Sequence, residues 1–284
     1  MSLPPHIDLT RRQALRRLAL GAAGLATGCK LGSAPELPPA GDGRLAARPT
    51  GSPTGLSPGE HRLLLSGGRD GVLYMPPGLS QDSPFPMILL LHGAGGTASG
   101  LATPTQPYAE QLGFAVLAPD SRGGTWDAIR GTYSVDVDFI DAALARAFEL
   151  CNVDPTRIGV AGFSDGATYA IGLGRLNGDL FRRVVAFSPG FLIPANDVFK
   201  PPIYITHGRG DNVLPLELTS RVIVEELTRI GYDVTLREFD GGHWIPALYA
   251  TEAFGWLIGG ELQQPPPEPP AAALGLLDVG RRRA

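Results

Sequence analysis

The sequence predicts an α/β protein built on a mostly parallel sheet of about eight strands with helices on both faces. Three observations carry this. Near-continuous apolar runs of strand length recur at residues 87–91, 114–118, 158–161, 184–187 and 203–206, and such runs belong to strands covered on both faces, as parallel strands are. Stretches with apolar residues at helical spacing alternate with these runs. The segment from Arg157 to Thr168 passes from a strand-length run through Gly162-Phe163-Ser164-Asp165-Gly166 into a helix of small residues, so Ser164 falls on a strand-to-helix turn.

Taken in order, residues 61–65 and 72–75 flank the Gly-rich loop 66–71 and read as a hairpin at the front of the sheet. The five apolar runs follow, and residues 234–239 form a sixth that alternates more. Between them, Ile140, Leu144, Ala147 and Cys151 fall at helical spacing, which makes Cys151 a small buried apolar residue and not a nucleophile. Ile223, Leu227 and Ile230 mark the next helix, with Gly231 placed to close it in the left-handed conformation. Pro246 opens the last helix, where its missing N–H costs nothing, and Phe254 and Leu257 would hold that helix on the sheet.

The folded domain is expected over residues 60–260. Residues 1–28 read as an export signal. Thr10-Arg11-Arg12-Gln13-Ala14-Leu15 resembles a twin-arginine pattern, residues 18–27 are apolar but too short to span a bilayer, and Ala26-Thr27-Gly28-Cys29 resembles a lipoprotein box. A lipid on Cys29 would anchor the exported chain to a membrane as a periplasmic lipoprotein. A soluble signal cleaved nearby, or an uncleaved basic N-terminus, are the alternatives. Residues 29–59 are Pro, Gly, Ala and Ser without periodicity and predict a disordered tether, and residues 261–284, with Pro265-Pro266-Pro267 and the ending Arg281-Arg282-Arg283-Ala284, predict a disordered tail.

The 284 residues are 43% hydrophobic and 18% charged, an ordinary soluble composition, and the formal charge of −4 gives no reason to propose nucleic acid as a partner. Cys29 and Cys151 imply no disulfide framework. His6, His61, His92, His207 and His243 show no metal-ligand spacing, so a metal hydrolase is disfavoured and neither metal nor cofactor is expected.

The chemistry centres on Ser164. A serine hydroxyl needs a base to take its proton, and the base needs an orienting carboxylate. Downstream, Asp211 lies in the loop after one strand and His243 in the loop after the next; the order Ser, Asp, His is that of α/β-hydrolases. Backbone amides of Ala94, in His92-Gly93-Ala94-Gly95-Gly96 after a strand, and of Asp165 would form an oxyanion hole. His92 and His207 are then loop-shaping residues. A second match to the elbow pattern, Gly55-Leu56-Ser57-Pro58-Gly59, has no strand before it and a proline where an amide is needed, and reads as linker. The Asp165 carboxylate would oppose an oxyanion, so it is expected to pair with Arg122, with helix capping as the alternative. Trp126, Phe191 and Trp244 are candidates for the substrate pocket wall, as are Tyr133 and Leu192.

These stretches, with Ala118-Pro119-Asp120, Trp126-Asp127, His207-Gly208, Val213, Gly242 and Pro246, together resemble the phospholipase/carboxylesterase family of α/β-hydrolases, which includes acyl-protein thioesterases. The resemblance covers roughly residues 86–257. It implies an α/β-hydrolase fold, a Ser164-Asp211-His243 triad and oxyanion donors at Ala94 and Asp165. The chain departs from that family at Asp165, where glutamine is usual, and at Ala167, where glycine is usual, so an acyl-protein substrate does not follow. The connection 188–201 is too short for a helical lid domain. The reading is a serine hydrolase acting on small-molecule carboxylic esters. A polyester depolymerase or feruloyl esterase stands as the alternative, a peptidase ranks lower, and a non-catalytic binding protein of the same fold is the reading from another class.

Overall fold

A computed structural model describes residues 42–262 and 276–277. The strands are β1 (Gly59–Arg62), β2 (Gly71–Met75), β3 (Phe85–Leu91), β4 (Ala115–Pro119), β5 (Val153–Phe163), β6 (Arg183–Phe187), β7 (Ile203–Gly208) and β8 (Val234–Phe239). They form one sheet in the order β1-β2-β4-β3-β5-β6-β7-β8. β2 runs antiparallel to both neighbours, and every pair from β4 across to β8 is parallel.

Helices α1 (Ala98–Leu112), α2 (Asp127–Arg130), α3 (Val135–Leu150), α4 (Asp165–Leu176), α5 (Ser220–Arg229) and α6 (Ala247–Leu257) complete the domain. Alternation along the strands builds two cores. Met87, Leu89 and Leu91 of β3 face the core shared with α3, α4 and α5, while Ile88 and Leu90 face the one shared with α1 and α6. Cys151 is buried at the end of α3, and burial pushes its thiol up to about 12, which keeps it protonated and unreactive. Gly231 adopts φ +86 after α5, the left-handed closure its position predicts.

The front hairpin is shorter than expected on one side, ending at Arg62. Beyond it the Asp70 carboxylate takes the amides of Leu64 and Leu65 at 2.9 and 3.1 Å, and Leu64 turns to φ +58. Those amides are lost to the ladder, so the strand stops.

The expected tether begins its docking well before residue 60, which corrects the 29–59 boundary. Leu45 is buried in the α3/α4 core, and its amide donates to Asn177 Oδ1 at 2.8 Å. The amides of Ala46 and Ala47 both donate to Asp141 Oδ1, and Arg44 and Arg48 pair with Asp179. The signal 1–28 and Cys29 lie outside the described residues, as does most of the tail 261–284. Of that tail, Leu276–Leu277 (β10) pairs antiparallel with β9 (Ile245–Pro246), which corrects a wholly disordered ending.

The connection from β6 to β7 carries no helix, as its length predicts. It is lashed to α4 by Arg175, which reaches the Ile193 carbonyl at 3.2 Å and Asp197 at 2.8 Å, so no lid covers the strand ends from this connection.

Candidate active site

The sheet order reverses at β3, between β4 and β5. At such a switch point the loops leaving adjacent strand ends part and leave a crevice. The loop after β3 carries Gly93 to Gly96, and Ser164 follows directly on the end of β5.

Ser164 has φ +57 and ψ −119, a conformation that strains any residue with a Cβ, by about 1–3 kcal/mol. Its surroundings hold it there. Its amide donates to the Phe187 carbonyl at 2.9 Å, and its carbonyl accepts from Ala167 and Thr168 at the start of α4. The two flanking glycines are steric requirements. A Cβ on Gly162 would stand 2.2 Å from the Gly166 carbonyl oxygen, and one on Gly166 would stand 2.1 Å from that of Leu91. The hydroxyl is therefore raised above the strand ends at the N-terminus of α4, where the helix dipole favours negative charge.

His243 Nε2 lies 3.0 Å from Ser164 Oγ, and His243 Nδ1 lies 2.6 Å from Asp211 Oδ2. Close backbone packing brings the two loops together. Gly210 donates to the Gly241 carbonyl at 2.8 Å, and a Cβ on Gly208 would stand 2.4 Å from the carbonyl oxygens of Gly241 and Gly242. The His243 ring rests on Phe163 with centroids 4.8 Å apart. Asp211 Oδ1 accepts the amides of Val213 and Leu214 at 2.9 and 2.8 Å. Burial alone would raise its carboxyl, but hydrogen bonds from His207, His243 and the Leu214 amide hold it well below the usual carboxylate range. Asp240, three residues before His243, is exposed and pairs with Arg209 at 2.9 Å.

Opposite the serine, Gly95 and Gly96 donate their amides to Gly124 and to Gly93, at 2.6 and 3.0 Å. The amides of Ala94 and Asp165 donate to no protein acceptor among the described residues. Behind this loop His92 is buried. Its Nε2 accepts the Ser121 amide at 3.0 Å and its Nδ1 lies 2.8 Å from the Gly93 carbonyl, so the hydrogen sits on Nδ1. Burial lowers its proton affinity, which suits a neutral ring that props up the loop.

Two expectations about side chains fail. Arg122 does not meet Asp165; its guanidinium donates to the carbonyls of Arg69 and Asp120 at 2.5 and 2.7 Å and lies 3.5 Å over the Phe139 ring. The Asp165 carboxylate instead accepts the Thr125 hydroxyl at 2.5 Å, so it does not cap the helix either. Trp126 is fully buried, stacks on Tyr169 and donates its indole N–H to the His92 carbonyl at 2.8 Å, so it braces the loop from beneath and lines no pocket. Tyr133 is likewise buried, against Tyr169. Leu192 is half-buried against the core, and Phe191 is exposed. Trp244 is half-buried beside Gly241 and Gly242 and packs near Phe239. Ser57 lies exposed before β1, and its carbonyl meets His61 Nε2 at 2.8 Å. Thr125 escaped the sequence reading because nothing in its local pattern points to a residue 40 positions away.

The sheet order, the elbow and the loops that converge on it define an α/β-hydrolase. Within that fold class a model of the dienelactone hydrolase family matches residues 70–243, and the chain belongs to that family. The phospholipase/carboxylesterase motifs thus led to the right fold, while the family match falls on another family. The chain is 30% identical over 158 residues to feruloyl esterase C of Emericella nidulans, covering 53% of this chain and 57% of that one. It is 29% identical over 171 residues to a probable feruloyl esterase C of Aspergillus niger, covering 57% and 61% respectively. The matches thus span about three fifths of the length of those relatives. In fold it is similar to the fluorophosphonate-binding serine hydrolase F of Staphylococcus aureus, with TM-score 0.56, 17% identity and coverage of 72% of this chain and 100% of that one.

Proposed function

We propose that this protein hydrolyses carboxylic esters through an acyl-enzyme on Ser164. The single observation that carries the reading is the unbroken line from Ser164 Oγ through both nitrogens of His243 to Asp211 Oδ2, at 3.0 and 2.6 Å. Because Asp211 is ionised and accepts at Nδ1, His243 presents its Nε2 lone pair to the serine hydroxyl. The hydroxyl attacks the acyl carbon while its proton passes to Nε2, and the uncompensated amides of Ala94 and Asp165 supply hydrogen bonds to the carbonyl oxygen as it becomes negative. The proton then moves from Nε2 to the leaving alkoxide. A water molecule repeats the sequence on the acyl-enzyme and returns Ser164. A non-catalytic role leaves the strained serine and its two partners without an explanation.

The substrate is a small ester. The two feruloyl esterase relatives support a hydroxycinnamoyl ester as the particular acyl group, and Phe191, in the loop after β6, is an exposed aromatic. Its neighbour Gly190 donates to Thr168 Oγ1, one turn beyond Ser164, at 2.8 Å. The likeness to the phospholipase/carboxylesterase family supports the same reaction class without selecting an acyl-protein, since Asp165 stands where that family carries glutamine. Hydrolysis of methyl ferulate set against p-nitrophenyl acetate and butyrate, with Ser164→Ala as control, tests the reading. Activity on all three at equal efficiency removes the hydroxycinnamoyl preference, and activity on none removes the esterase. Export by the twin-arginine signal and anchoring through a lipid on Cys29 belong to the same proposal for the whole chain.

A further inference from the structure

Behind the serine, histidine and aspartate lies a second imidazole. His207, in β7, is fully buried, and so is Ser220 at the start of α5. His207 Nε2 lies 2.7 Å from the Leu214 carbonyl oxygen and 3.1 Å from Asp211 Oδ2, and its Nδ1 lies 2.6 Å from Ser220 Oγ. These partners assign the protons. A carbonyl and an ionised carboxylate only accept, so Nε2 carries the hydrogen, which points chiefly to the nearer Leu214 carbonyl; Nδ1 is then free to accept the Ser220 hydroxyl hydrogen.

Asp211 is consequently held on both oxygens. Oδ1 takes two backbone amides, and Oδ2 takes the Nδ1–H of His243 and lies 3.1 Å from His207 Nε2, whose single hydrogen it shares with the nearer Leu214 carbonyl. The two imidazoles compete for the same oxygen. Each hydrogen bond to Oδ2 draws off charge that would otherwise stabilise protonated His243, and the His207 bond also prevents the carboxylate from turning with its partner.

We propose that His207, held in its Nε2–H tautomer by Ser220, is a positioning residue that fixes Asp211 Oδ2 against His243 Nδ1. This rests on the esterase reading for its consequence in catalysis, though not for its effect on His243 itself. The groups facing these three side chains are few. His243 meets Asp211, Ser164 and the Phe163 ring; His207 meets Asp211, Ser220 and the Leu214 carbonyl; Asp211 meets the two imidazoles and two amides. Arg209 and Asp240, on the same two loops, pair with one another at the surface.

The test compares His207→Gln, His207→Asn and His207→Leu in the full chain, after thermal melts establish which are folded. The glutamine amide reaches the place of Nε2 and keeps a donor to Asp211; the asparagine amide reaches only the place of Nδ1. The primary readout is the NMR titration of the His243 ring proton, which needs no activity, and the second is the acid limb of kcat/KM on a soluble ester. His207→Asn and His207→Leu should raise the His243 midpoint by about half a pH unit or more, the change expected when one donor leaves a shared carboxylate. His207→Gln should stay near wild type. The acid limb should follow the NMR midpoint, with kcat falling about tenfold in the asparagine and leucine variants, an effect typical of a displaced orienting group, and KM within twofold. Equal midpoints for the asparagine and glutamine variants would overturn the proposal, as would a shift downward. If no ester is cleaved by wild type, the esterase reading falls, and the NMR titration still decides on His207.

Discussion

Thr125 donates its hydroxyl hydrogen to Asp165 at 2.5 Å, a contact between the loop after β4 and the first residue of the helix that follows the elbow serine. The Asp165 amide has no protein acceptor among the described residues, while its carboxylate is satisfied by Thr125. Replacing Thr125 with valine removes the donor and returns an unsatisfied negative charge to the neighbourhood of the proposed oxyanion. The expected result is a drop in kcat of about tenfold, as for loss of a hydrogen bond to a charged group worth about 1.5 kcal/mol or more. Asp165→Asn in the Thr125→Val background should recover part of it, whereas Arg122→Ala should combine additively with Asp165→Asn. Steady-state kinetics on the two double-mutant cycles distinguish the cases.

Asp211 and Asp240 make a second comparison. Asp211→Asn leaves His243 without an acceptor at Nδ1 and should cost on the order of 10⁴ in kcat, while Asp240→Asn, at an exposed pair with Arg209, should cost less than about twofold.

The same carboxylate couples stability to pH. Its folded-state proton affinity is depressed, so its contribution is complete above the unfolded value of about 3.9 and drains away as pH falls below it toward the folded value. The difference in Tm between wild type and Asp211→Asn should be constant from neutral pH down to about 5 and narrow below about 4. A difference that widens in acid would place the sign the other way.

Leu45 gives a prediction about the fold. Buried among α3 and α4, it should cost about 2–5 kcal/mol on replacement by alanine, a fall in Tm of several degrees or more for a domain of this size. A freely moving tether would show no change, so calorimetry on Leu45→Ala separates a docked segment from a linker.

Export is checked by fractionation. Arg11→Lys with Arg12→Lys should hold the protein in the cytosol, and Cys29→Ala should turn a membrane-bound form into a released one. Wild type found wholly in the cytosolic fraction contradicts both.

The strands and helices were legible because local periodicity reports burial: Met87, Leu89 and Leu91 on one face of β3 and Ile88 and Leu90 on the other are what a run buried on both sides looks like. The elbow was legible because two glycines and a serine at a strand end satisfy a steric demand that the neighbouring backbone makes explicit. Residues 42–48 were not. Their composition is that of a linker, and what holds them is Asp141, Asn177 and Asp179, more than 90 positions away. Trp126 misled for a related reason: an aromatic residue in a loop carries no mark of which way its indole N–H is satisfied, and here it is satisfied inward, by His92.

The central claim is that Ser164 is a nucleophile armed by His243, and active-site labelling tests it most directly. A fluorophosphonate probe should form a single covalent adduct on wild type, mapped by peptide mass spectrometry to Ser164, with no adduct on Ser164→Ala and a greatly slowed one on His243→Ala. A folded wild-type protein that takes up no probe, or takes it up on a residue other than Ser164, would contradict the account.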